Sequence, residues 1–102
     1  MDMQKMLKQA RKMQAQLAEV QDGLKEVTVE ATAGGGMVKA VMTGEGDLTS
    51  ITIDPAAVDP SDVELLQDMI VAAVNEASRN ARELADQRMS SVTGGLNIPG
   101  LM

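Results

Sequence analysis

Residues 60–92 constrain the fold of this chain more than any other stretch, because after Pro60 they hold neither proline nor glycine. The segment Asp59-Pro60-Ser61-Asp62-Val63-Glu64 offers two helix starts. Either Asp59 caps with Pro60 in the first turn, or Ser61 caps with Glu64 three residues on. Gly94-Gly95 supply the stop. About 33 helical residues would span roughly 50 Å, whereas a compact domain of this length has a radius of gyration of about 13 Å. The sequence therefore predicts a helix over 60–92 that outruns its own domain.

The pattern changes along that helix. Leu65, Leu66, Met69, Ile70, Val71, Ala72, Ala73 and Val74 leave hardly a polar side. A helix apolar all round is buried all round. One face can cover a sheet, and the other needs a second helix or a second subunit. Large contiguous apolar patches are rare on monomers, so a homodimer is expected, with Leu66, Met69, Ile70, Ala73 and Val74 at its interface. Beyond Ala77 the stripe narrows to Ala81, Leu84, Ala85, Met89 and Val92, with Arg79, Arg82 and Arg88 between them. The first half is expected to be core, and the second an arm projecting from it.

Upstream, Met3, Met6, Ala10, Met13, Leu17, Val20 and Leu24 are spaced 3-4-3-4-3-4, an unbroken heptad seam. They predict a helix over 3–24, with Gly23 marking its end. Strands are expected over 27–33, 37–43 and 48–54, forming a three-stranded antiparallel meander. A two-residue turn at Gly34-Gly35 sets Val27 against Met42, Val29 against Ala40, Ala31 against Val38, and Glu30 opposite Lys39. A turn at Glu45-Gly46 sets Ala40 against Ile51 and Val38 against Ile53. Both turns put the same middle-strand residues on one apolar face, so a one-residue slip in either would break the agreement. Ala33-Gly34-Gly35-Gly36 is no phosphate loop, since neither a helix start nor Gly-Lys-Ser/Thr follows it. The expected architecture is α+β, in the order α-β-β-β-α, as one domain over residues 1–93. A flexible tail with glycine and proline follows over 94–102.

Composition narrows the function. With no histidine and no cysteine, the chain lacks Ser-His and Cys-His machinery and any nitrogen or sulfur metal ligand. The acids Asp54, Asp59, Asp62 and Glu64 are accounted for by helix capping and the helix dipole. No enzyme activity, cofactor, metal or small-molecule substrate is expected. No apolar run reaches 18 residues, so no membrane span is expected either. Lack of aromatics excludes base stacking as a grip on single-stranded nucleic acid.

The formal net charge of −6 is unevenly spread. Residues 1–18 carry Lys5, Lys8, Arg11 and Lys12 against Asp2, a net of +3. Residues 19–78 carry twelve acids against Lys25 and Lys39, a net of −10. Residues 79–102 return to +1 through Arg79, Arg82 and Arg88 against Glu83 and Asp86, which stand at i+4 to the first two arginines. Lys5, Lys8 and Lys12 share one helix face with Arg11 beside them. An ordinary solvated face would look similar, but cations near a helix N-terminus oppose the macrodipole, so stability does not account for them. Basic ends on an acidic middle point to a polyanion such as double-stranded DNA. The competing reading is an adaptor homodimer whose helical arms hold another protein.

Several stretches together carry a resemblance. Leu7-Lys8-Gln9-Ala10, Lys12-Met13-Gln14, Ala33-Gly34-Gly35-Gly36 followed by Val38-Lys39, Ile53-Asp54-Pro55, and Asp68-Met69-Ile70-Val71-Ala72-Ala73-Val74-Asn75-Glu76-Ala77 resemble the YbaB/EbfC nucleoid-associated proteins. The resemblance covers nearly the whole chain. It implies a small bacterial cytoplasmic protein, a tweezer-shaped homodimer that binds DNA and associates with the nucleoid. It also implies DNA contact through the helical arms, where the basic residues of this chain are Lys5, Lys8, Arg11, Lys12, Arg79, Arg82 and Arg88.

Overall fold

In a computed structural model the order is α1 (Met3–Glu26), β1 (Thr28–Ala33), β2 (Val38–Thr43), β3 (Leu48–Ile53), a single 3₁₀ turn at Pro55–Ala57, and α2 (Val63–Thr93). The structure describes residues 2–93. The tail expected over 94–102 lies outside them. The three strands form one antiparallel sheet in the order β1-β2-β3, and α2 packs across one of its faces. The molecule measures 71 × 27 × 16 Å, with a radius of gyration of 19.8 Å. That is well above the roughly 13 Å of a compact chain of this length, as the reach of the long helix predicts.

The core lies between sheet and helix. From the sheet come Ala31, Val38, Ala40 and Met42; from α2 come Ala73, Ala77 and Ala81, all buried. Three alanines at i, i+4 and i+8 draw the helix backbone close to the sheet, and every alanine methyl fits without a rotamer to freeze. The opposite sheet face stays open to solvent, where Lys39 and Glu30 pair at 3.8 Å.

The first hairpin differs from its expected register by two residues. Val29 pairs with Met42, Ala31 with Ala40 and Ala33 with Val38. The turn holds four residues rather than two, because Gly34, Gly35 and Gly36 all have positive φ and the Met37 carbonyl accepts from the Asp54 amide at 2.8 Å. Met37 is thereby drawn to β3 and away from β1. A shift of two preserves side-chain alternation, so the buried face is the expected one. Glu30 and Lys39 become diagonal neighbours and still meet.

In the second hairpin, Val38–Ile53 and Ala40–Ile51 pair as expected. A bulge between Val41 and Met42 then shifts the pairing, and Met42 meets Leu48. The turn lies one residue earlier than expected, closed by the Gly46 amide donating to the Thr43 carbonyl at 2.9 Å.

Both helix ends also differ. α1 passes through Gly23 to Glu26, since Gly23 faces α2 and packing holds the turn that glycine would loosen. α2 starts at Val63, and neither expected cap is used. Asp59 instead accepts from the Ser61 amide at 2.9 Å and the Ser61 hydroxyl at 2.7 Å, which closes a turn at Pro60-Ser61. These bonds hold the Asp59 carboxyl below the ordinary aspartate value, the Ser61 hydroxyl being the larger cause. Asp62 takes over as cap, accepting from the Leu65 amide at 3.2 Å.

Candidate functional site

α1 and the second half of α2 lie side by side and antiparallel, as the groove shared by Met13 and Val20 with Ser91 and Val92 records. Together they form an arm leading away from the sheet. Asp2 caps the outer end of α1, accepting from the Gln4 amide at 3.1 Å. Near that end stand Lys5, Lys8, Arg11 and Lys12, all exposed. None of the four makes an ion pair among the described residues. At 1.5 Å per residue they occupy about 10 Å of helix. No acid intervenes.

The three arginines of α2 are placed differently from one another. Arg79 is engaged by Glu76: its Nε donates to Glu76 Oε2 at 3.1 Å, and its Nη2 donates to the same oxygen. The partner expected from spacing was Glu83, one turn further on. Side chains on a helix lean toward its N-terminus, so an arginine reaches back to an acid more readily than forward. Arg82 is exposed and pairs with no acid among the described residues, Asp86 included. Arg88 is partly buried at the crossing of the helices, its Nη1 3.6 Å from where a Cβ on Gly23 would stand.

The seven cations therefore do not merge into one patch. Lys12 shares a groove with Ser91 and Val92, whereas Arg82 lies nine residues back along α2, about 13 Å toward the sheet. Glu76 neutralises one arginine. What the arm offers is one compact, uncompensated group on α1, with Arg82 apart from it.

Apolar side chains accompany that group. Met3 and Met6 of the heptad seam, and Leu7 beside it, are 74%, 54% and 55% exposed, so the outer part of the seam has no cover among the described residues. The residues expected at a dimer interface all lie on the sheet-facing side of α2. Ala73 is fully buried there, and Leu66, Met69, Ile70 and Val74 are partly buried against the core. The more exposed apolar side chains of α2 are Val63, Leu65 and Val71.

Among the described residues, no three of the acids stand close enough to hold a metal ion, and no helix is long and apolar enough to cross a membrane. Sequence reasoning placed Arg88 among the DNA-contacting cations and missed that it lies partly buried beside Gly23 of α1. That contact is distant in sequence, and no local spacing reveals it.

Residues 1–96 match the YbaB/EbfC DNA-binding family. A nucleoid-associated protein of Thermoanaerobacter sp. (strain X514) is 56% identical over 96 residues, covering 94% of this chain and 86% of its own. One from Anaeromyxobacter dehalogenans (strain 2CP-1) is 48% identical over 101 residues, covering 99% and 98%. The crystal structure of an uncharacterized protein from Helicobacter pylori superposes with a TM-score of 0.77 at 23% identity, covering 95% of this chain and 99% of that one. It shares the fold.

Proposed function

The chain belongs to the YbaB/EbfC DNA-binding family, and from that premise we propose that it binds double-stranded DNA through the phosphate backbone, as a homodimer. It acts with little sequence preference, as a nucleoid-associated protein of the bacterial cytoplasm that contributes to nucleoid organisation or gene regulation. The proposal gives it no catalysis, cofactor, membrane or small-molecule substrate.

One observation carries the reading. Lys5, Lys8, Arg11 and Lys12 stand exposed within eight residues of one helix, and no acid of the described chain pairs with them. Lys and Arg at such a site act on phosphates, positioning the protein without reading bases. Arg82 adds to them from further back. Arg79 and Arg88 rank last, because Glu76 holds the first and α1 partly covers the second.

Two-fold symmetry would present each group twice. The exposed Met3, Met6, Leu7, Leu65 and Val71 support a partner subunit. Leu66, Met69, Ile70 and Val74 contribute the surface that the sheet leaves uncovered, with Ala73 beneath them.

Fluorescence anisotropy of a labelled duplex, titrated at several salt concentrations, tests the proposal. With roughly four to six phosphates neutralised, log K falls against log salt with a slope of about −4 to −5, and affinity at physiological salt lies near 10⁻⁴–10⁻⁶ M. Binding that ignores salt contradicts it. Together with the apolar tip of the arm, that result would favour the adaptor reading.

A further inference from the structure

α1 is 24 residues long, yet Leu24 is the only one of them that is buried. The helix is anchored to the body at its inner end, and outward from there it rests along α2. At the inner end Leu24 meets the turn between β2 and β3, and the Gly44 amide donates to the Val27 carbonyl at 3.0 Å, one residue past the helix. Gly44 is itself buried. A Cβ on it would stand 2.8 Å from both Leu24 Cδ2 and the Leu24 carbonyl oxygen, and 3.0 Å from Val27 Cγ2.

The leucine tip can rotate away from such a methyl, but the carbonyl is backbone and moves only with the helix. Turn geometry gives no reason for glycine here. Gly34, Gly35, Gly36 and Gly46 have positive φ, and Gly44 does not. What position 44 requires is the absence of a side chain, and the requirement comes from α1.

We infer that Gly44 is a positioning residue: it seats the end of α1 and sets the angle at which Lys5, Lys8, Arg11 and Lys12 meet DNA. The inference rests on the DNA-binding reading above. The lever is long. Lys12 and Lys5 lie 12 and 19 residues from Leu24, about 18 and 28 Å along the helix. Tilting the seat by about 10° carries those side chains roughly 3 to 5 Å, comparable with the 4 Å limit of an ion pair. Gly23 lies at the same joint, where a Cβ would stand in ordinary contact, 3.6 Å from Arg88 Nη1.

The chain has no cysteine, so Gln9→Cys and Thr52→Cys, both at exposed positions, give two defined sites for spin labels. Pulsed electron resonance on doubly labelled protein diluted with unlabelled protein reads the distance from arm to sheet. Gly44→Ala is expected to shift that distance by about 3 Å or more, on the lever arm above. It should also weaken duplex binding about tenfold at low salt and lower the salt slope by roughly one to two, while helical content is kept. Ala77→Gly, in the core about two helical turns before Leu84, the residue that shares a groove with Gly23, should lower the melting temperature without moving either readout.

A folded Gly44→Ala protein with unchanged distance and affinity overturns the inference. So does an Ala77→Gly protein that loses affinity equally. If Gly44→Ala does not fold, Leu24→Ala empties the same seat from the other side, and an unchanged distance distribution there is equally fatal. A wild-type chain that fails to bind duplex overturns the DNA reading, and the label distance then decides the seat alone.

Discussion

Ala73, Ala77 and Ala81 of α2 are buried against the sheet, whereas Leu84, Ala85, Arg88 and Met89, further along the same helix, are only partly buried. The first region is built for closeness, with small residues at a four-residue spacing against Val38 and Ala40, both at 0% exposure. The second is built for reach. It gives up burial to hold a cationic helix away from an acidic body. On the proposed reading, stability resides mainly in the body and DNA binding mainly in the arm, so substitutions in the two should separate these properties.

The strongest way to break that contrast is a charge in each place. Ala77→Asp would bury an unpaired carboxylate between helix and sheet, with no room for water. A cost of several kcal/mol is expected against a typical total of about 5–15 kcal/mol, so the variant should be largely unfolded by circular dichroism. Ala15→Asp, at an exposed position on α1, should change stability by no more than about 0.5 kcal/mol. Comparable losses at the two sites would mean that the arm is packed as tightly as the body.

A subtler test lies at the base of α2. Asp62→Ala removes the side chain that accepts from the Leu65 amide, and should cost about 1 kcal/mol in urea denaturation. Ser61→Ala should cost less, because Ser61 supports the preceding turn and not the helix. The reverse order would restore Ser61 as the cap.

The order of elements and the buried face of the sheet were both legible in the sequence, for one reason. Strand alternation has a period of two, so the apolar face could be assigned even where the first hairpin was misjudged by two residues. Glycine density at residues 34–36 announced a turn but not its length, which depends on Met37 bonding to Asp54. The doubled start signal at residues 59–64 hid the cap, because Asp59 and Ser61 bond to each other and leave Asp62 to the helix. On the arm, composition alone located the uncompensated cations. The pairing of Arg79 was misjudged because spacing names two acids, and only side-chain direction chooses Glu76. Gly44 could not be found, since its role rests on a contact with Leu24.

The central claim is that the arm binds and the body holds it in place, and two charge reversals compared by anisotropy on one duplex test it most directly. Changing Lys5, Lys8, Arg11 and Lys12 together to Glu should lower affinity by roughly a hundredfold or more at low salt, given the salt slope expected for these contacts. The variant should keep its helical content and the dimer mass by sedimentation equilibrium. Changing Arg79, Arg82 and Arg88 together to Glu should weaken binding only several-fold, because Glu76 and α1 already occupy two of the three. A quadruple variant that binds as the wild type does, or a folded monomer in either preparation, would contradict the account.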